Sequence, residues 1–177
     1  MIRVGHFNAH SMDSEKQYLV CESMRRMKLD FVGVSETWKM VKDDEYLKRI
    51  HGYSVKGFSD PSGRRGLAVF VNPQLKFRYL SEFSVRTDEY HMVTLQHRRL
   101  IVVQVYCPHG MNNSGLKEVV DKLDSLAEIY EDVVVCGDLN ARMGLVESEG
   151  FNANGKLLRQ WLKESKFFRV QLNGRFV

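Results

Sequence analysis

The chain has 177 residues, 44% of them hydrophobic and 27% charged, a balance that supports one domain with a sizeable core and excludes a disordered or low-complexity chain. No apolar run approaches the ~20 residues of a bilayer span, and MIRVGHFNAH lacks a signal-peptide layout, so an intracellular protein without a membrane partner is expected. A net charge of +4 favours nucleic acid or another polyanion as partner, and three cysteines without metal-ligand spacing point to buried, reduced thiols.

In chain order, Ile2 to Phe7 reads as a short strand, and Ser14 to Lys28 carries Leu19, Val20, Met24 and Met27 at helical spacing. The run from Asp30 to Ser35 is too brief for a helix and reads as a second strand, and Asp43 to Ile50 suggests a short helical piece. The middle third is rich in β-formers. Tyr53 to Phe58, Gly66 to Val71, Phe77 to Val85, Met92 to Gln96 and Leu100 to Tyr106 predict an antiparallel meander, with Arg98-Arg99 at the last tight turn. Ser114 to Glu131 predicts an amphipathic helix with Ser114 as N-cap and Leu116, Val119, Val120, Leu123 and Leu126 inward. Val133 to Cys136 is an almost purely apolar strand, and Asn154-Gly155 precedes a last helix running to about Lys163. Nothing marks a linker, so residues 1–177 are read as one domain of a mixed sheet with helices outside.

Four apolar strands run directly into oxygen or amide side chains. Ile2 to Phe7 ends at Asn8, Phe31 to Ser35 at Glu36, Leu100 to Val105 at Tyr106, and Val133 to Gly137 at Asp138 and Asn140. Carboxyl ends of strands line the crevice where α/β folds bind ligands, so residues distant in sequence can converge there. Magnesium takes one or two carboxylates, keeps waters and leaves positions for a phosphate. Glu36 and Asp138 offer that pair, while Asn8, Asn140 and Tyr106 offer groups to orient a nucleophile and phosphate oxygens. Each residue alone has a blander use: an aspartate after glycine as a turn former, a glutamate on the surface, a tyrosine in the core. Their recurrence at strand ends carries the reading.

Gly-His-Phe-Asn8-Ala-His-Ser, Gly33-Val-Ser-Glu36-Thr-Trp38, Gly63-Arg64-Arg65-Gly66, Val105-Tyr106-Cys-Pro108 and Gly137-Asp138-Leu-Asn140-Ala141 occur in the order that identifies the endonuclease/exonuclease/phosphatase superfamily. The chain resembles that superfamily, and especially the apurinic-endonuclease-like domains of non-LTR retrotransposons. The resemblance implies an α/β fold, a four-layer αββα sandwich of the DNase I-like kind. It implies catalysis by Asp138, Asn140, Tyr106 and Glu36, with Glu36, Asn8 and Asp138 around a Mg2+ ion, Mn2+ being the alternative. Arg64, Arg65, Asn140 and His109 are expected on nucleic acid. His6 and His10 flank Asn8, and alternation puts His6 on the same sheet face as Asn8. The superfamily continues into a final Ser-Asp-His motif, which is not reached by Val177. From this a C-terminally incomplete sandwich is expected, its edges covered by a second copy of the chain, a separate polypeptide or a host complex.

The expected function is a magnesium-dependent endonuclease acting on nucleic acid, DNA before RNA, with a nuclear location if the chain is of eukaryotic retroelement origin. The alternative from another class is an inactive family member serving as a nucleic-acid-binding or assembly subunit, and a small-molecule phosphatase is a third reading.

Overall fold

The structure is a computed structural model, and it describes residues 1–38, 48–59, 65–110, 113–144 and 150–168. Val4–Asn8 (β1), Ser14–Met27 (α1) and Phe31–Ser35 (β2) form a parallel strand pair joined by a helical crossover, as a parallel connection requires. Asp13 caps α1 by accepting from the Lys16 N–H, and Lys28 ends it in the left-handed region. Lys48–Ile50 (β3), Tyr53–Ser59 (β4) and Gly66–Val71 (β5) complete a five-stranded sheet in the order β1-β2-β5-β4-β3.

The second sheet starts with Arg78–Tyr79 (β6) and Val85–Arg86 (β7), both paired with His91–His97 (β8). A two-residue turn at Arg98-Arg99, with Arg98 at φ 56°, leads to Leu100–Tyr106 (β9). Helix Asn113–Ile129 (α2) then crosses to Asp132–Asp138 (β10), which lies parallel to β9, and Ala153–Glu164 (α3) follows. The sheet order is β10-β9-β8-β6.

Strand alternation sorts the apolar side chains into three layers. Val20, Cys21 and Met24 of α1 pack on Val32, Val34, Ala68 and Phe70 from one face of the first sheet. Its other face gives Phe31, Leu67, Val69 and Val71 to a central layer shared with Val93, Leu95, Val102 and Tyr106 of the second sheet. Ile101, Val103 and Val105 point the opposite way, onto Leu116, Val119, Leu123 and Leu126 of α2 and Leu158 of α3. The result is helix, sheet, sheet, helix, the four layers expected.

Several expectations are corrected. The middle strands do not form one meander: β4 and β5 belong to the first sheet, β8 and β9 to the second. Phe77 to Val85 is not continuous, because the 3-10 turn Ser81–Phe83 interrupts it. Fully buried Leu80 anchors the break, and hydroxyls replace ladder bonds: Ser84 Oγ donates to the Leu80 carbonyl, and Thr94 Oγ1 to the Phe83 carbonyl, both at 2.7 Å. Of the helical piece at Asp43 to Ile50, Lys48–Ile50 is strand, and residues 43–47 lie outside the described residues. Ser114 lies inside α2 and its hydroxyl donates to Glu89, so it is not the N-cap. Asn154-Gly155 likewise falls in the first turn of α3, whose cap is Asn152.

Burial pushes the thiols up, Cys21 to about 11 and Cys107 and Cys136 each to about 12, so all three stay protonated at neutral pH and are poor nucleophiles. Among the described residues no helix is long and apolar enough to cross a membrane.

Candidate active site

The carboxyl ends of β1 and β2 in one sheet meet those of β9 and β10 in the other. Register makes the meeting specific: Asn8 lies beside Ser35, the residue before Glu36, and Asp138 lies beside Tyr106. Beyond the strands the loops stay tied, since the Ala9 N–H donates to the Ser35 carbonyl, Ser11 N–H to the Glu36 carbonyl, and Cys107 N–H to the Asp138 carbonyl.

Asn8 joins the two sheets. Its Nδ2 donates to Glu36 Oε1 at 2.8 Å and to Asp138 Oδ2 at 3.0 Å, while its Oδ1 accepts from the His10 backbone N–H at 3.0 Å. That last bond fixes which way the amide points. The second Glu36 oxygen faces His10 Nδ1 at 3.1 Å, and the His10 ring stands edge-on to Trp38 with centroids 5.4 Å apart. Asp138 Oδ1 accepts from the Asn140 N–H at 3.1 Å. Both oxygens of each carboxylate therefore have a defined neighbour.

Backbone strain is concentrated here. Glu36 at φ 55°, His10 at 45° and Asn140 at 45° are left-handed, as are neighbouring Ser11 and Trp38. Such conformations cost about 1 to 3 kcal/mol each for residues other than glycine and persist where surrounding bonds over-determine them. At Asn140 those bonds are explicit: its Nδ2 donates to the Cys107 carbonyl at 2.7 Å, and its own carbonyl accepts from Asn152 Nδ2 at 2.8 Å. One amide N–H of Asn140 thus holds the loop, which qualifies its expected role as a phosphate contact.

Tyr106 is buried in the central layer, edge-on to His91 with centroids 6.1 Å apart. Behind Asn8, His6 Nδ1 meets Gln104 Nε2 at 2.9 Å, and Cys136 Sγ donates to Gln104 Oε1 at 3.1 Å. Gly33 makes room for this chain of polar groups, because a Cβ there would fall 1.7 Å from Gln104 Oε1. Burial lowers the His6 pKa, with the Asp138 carboxylate pulling the other way, so the ring is held towards its neutral form. His6 shares the inner face with Asn8, as alternation predicts.

A cleft of about 440 Å³ opens beside these groups, lined by His109, Asp138, Asn140, Arg142, Asn152 and Leu158 among others. Exposed His109 lines the same cleft as Asp138 and Asn140. Arg65 Nη1 donates to the Asp88 carbonyl at 2.7 Å, and Arg64 lies outside the described residues. Asn152 and Arg142 were not singled out from sequence. The signal for Asn152 was its position three residues before a glycine at a helix start: its Oδ1 accepts from the Gly155 N–H at 2.7 Å and the Arg142 N–H at 2.9 Å. Asn152→Ala removes this cap and the bond to Asn140 together. It is expected to cost about 1 to 2 kcal/mol by thermal or denaturant unfolding.

Among the described residues no group of three His, Cys, Asp or Glu side chains gathers as a metal cage. The donor set of two carboxylates around one amide instead fits a hard cation that keeps some of its waters. Glu36 and Asp138 offer the carboxylates for such an ion, and Asn8 Oδ1, which accepts one bond from the His10 N–H, keeps a second lone pair for it.

In structural comparison the chain is similar to the endonuclease domain of TRAS1, a telomere-specific non-LTR retrotransposon, with a TM-score of 0.64 and 18% identity over 92% of this chain and 71% of that one. An AP endonuclease from Archaeoglobus fulgidus gives a TM-score of 0.64 and 17% identity over 93% of this chain and 70% of that one. In sequence, Craniofacial development protein 2 of Bos taurus is 27% identical over 158 residues, covering 83% of this chain. The chain spans about a quarter of that protein's length, 25%. The model of the Endonuclease/Exonuclease/phosphatase family matches residues 4–176, nearly the whole sequence, and the chain belongs to that family.

Proposed function

We propose that the chain is a divalent-cation-dependent phosphodiesterase acting on nucleic acid, with DNA as preferred substrate and magnesium as the ion. The single observation that carries this reading is the Asn8 amide bridging Glu36 and Asp138 from two different sheets at the edge of a polar cleft. The basic balance and the likeness to a retrotransposon endonuclease domain support DNA over a small phosphate ester.

Glu36 and Asp138 are the residues that would hold the cation, whose chemistry there would be to polarise a phosphoryl oxygen and offset the charge that develops on it. The protein's own groups do the rest. Asp138, oriented by Asn8 Nδ2 and the Asn140 N–H, accepts the proton of the attacking water as its oxygen bonds to phosphorus and the leaving ester oxygen departs on the opposite side. Asn8 keeps the two carboxylates at a fixed separation, and His10 sets the orientation of Glu36 from its outer side. Tyr106, in register with Asp138 at the end of β9, is assigned to orient a phosphate oxygen, and His109 and Arg142 line the cleft where substrate phosphates arrive.

The test is nicking of supercoiled plasmid in magnesium and in EDTA, beside Glu36→Gln. Magnesium-dependent nicking, abolished by EDTA and reduced by about 100-fold or more in the variant, is expected. Folded protein that binds DNA and never nicks it would overturn the catalytic reading in favour of a binding subunit.

A further inference from the structure

The outward face of α3 has a chemistry of its own. Leu157, Leu158, Trp161 and Leu162 pack inward on the α2 side, leaving Lys156, Arg159 and Lys163 exposed on one stripe at spacings of three and four. Among the described residues no carboxylate lies within ion-pair distance of these three cations. Glu164, the nearest acid on the helix, is instead bonded by Gln160.

Beside this stripe stands an aromatic ring. Phe151 is 48% exposed, yet its backbone is fixed by a bridge to Met143, and its ring sits so close to Gly144 that a Cβ there would come within 2.5 Å of it. The Arg159 guanidinium lies 5.4 Å from the ring centroid. Phe151, Lys156, Arg159, Gln160 and Lys163 together line a hollow of about 260 Å³. A half-exposed phenyl ring beside three cations that have no carboxylate partner among the described residues suits a stacked base followed by phosphates, the combination by which proteins hold single strands.

Position links this hollow to the reaction. Asn152, next in sequence to Phe151, lines the cleft beside Asp138 and bonds the Asn140 carbonyl, so the hollow starts at the rim of the candidate site. From Lys156 to Lys163 the helix rises about 10 Å, the axial advance of about three nucleotides of one strand.

We propose that this face binds the strand flanking the scissile phosphodiester, with Phe151 under an unpaired base and Lys156, Arg159 and Lys163 on successive phosphates. The inference rests on the nucleic-acid reading above and adds a second contact region to it. It commits the face to an unpaired flank, since a duplex offers no free base to the ring.

The test is fluorescence anisotropy in EDTA with the full chain, using labelled single-stranded DNA of about 16 and about 4 nucleotides over a range of salt. The triple substitution K156A/R159A/K163A places good helix formers at exposed positions, so its melting temperature is expected to match the parent. Its affinity for the longer strand is expected to fall about tenfold or more. At about 0.7 per phosphate contact, its salt dependence should be shallower by about 2. The shorter strand, held in the cleft, should bind within about twofold of the parent, whereas F151L should weaken the longer strand about fivefold with its salt slope unchanged. An unaltered affinity and slope in the triple variant, with a parent that binds, would overturn this inference alone. A parent that binds neither strand would overturn the nucleic-acid reading as well, and tighter binding of polyglutamate than of the longer strand would assign the face to an acidic protein instead.

Discussion

Asp138→Asn is expected to lower phosphodiester hydrolysis by about 10²- to 10⁴-fold, the range over which a positioned general base contributes. The substitution keeps volume and shape but removes the proton acceptor. It also disturbs the network, because each Asp138 oxygen accepts from an N–H, Asn8 Nδ2 on one side and the Asn140 backbone on the other. An asparagine must turn its NH₂ towards one of those donors and leave that pair unbonded, which costs about 1 to 3 kcal/mol if the site stays dry. Partial exposure of the site moderates that cost, so the loss of turnover should greatly exceed the loss of stability. Turnover on a labelled duplex, read beside a melting curve, makes the comparison. Activity within tenfold of the parent would reduce Asp138 to a turn residue.

The second large effect is one of stability. Gly137 has φ 146°, a region that essentially only glycine occupies, and a Cβ there would lie 1.9 Å from the Val105 carbonyl oxygen and 2.8 Å from its carbon. The obstructing atoms are backbone of the paired strand β9, so no rotamer change relieves the clash. Gly137→Ala should therefore destabilise by about 3 to 5 kcal/mol, or roughly 10 °C in melting temperature at this chain length. Gly110→Ala is the matched control: φ is 81° there, but nothing lies within 4 Å of the added atom, so only the conformational cost of about 1 kcal/mol remains. Equal effects at the two positions would show that dihedral preference alone, and not the close approach of β9, makes Gly137 necessary.

The sequence made the strand-end residues legible because a buried strand leaves so few ways to use a polar residue at its terminus. Asn8, Glu36, Tyr106 and Asp138 all lie where two sheets converge, and the inward stripe of α2 is the one its spacing predicts. What could not be read is which sheet each β-rich run joins. Tyr53–Ser59 and His91–His97 are both strands with ordinary alternation, and local sequence does not encode that one faces α1's layer while the other faces α2's. Side-chain substitution for ladder bonds was equally hidden: Ser84 and Thr94 read as unremarkable strand residues, yet their hydroxyls break Phe77 to Val85 in two. Asn152 escaped because Asn154-Gly155 looked like the helix boundary, whereas Asn154 is buried within the first turn of α3. The polar chain from His6 through Gln104 to Cys136 was out of reach for a further reason: its partners are separated by up to 98 positions, and only the packing of the sheets brings them together.

Glu36 follows β2 of the first sheet and Asp138 ends β10 of the second, with the Asn8 amide bonded to both. The two halves of the candidate site are therefore not connected through any one ladder of backbone hydrogen bonds, and their spacing is set by how Phe31, Leu67 and Val69 interlock with Val93, Leu95 and Val102 in the layer below. A slide of one sheet over the other by a single residue step, about 3.3 Å, would separate the carboxylates while leaving every strand intact. The oily middle of the molecule thus acts as the alignment gauge of its polar rim.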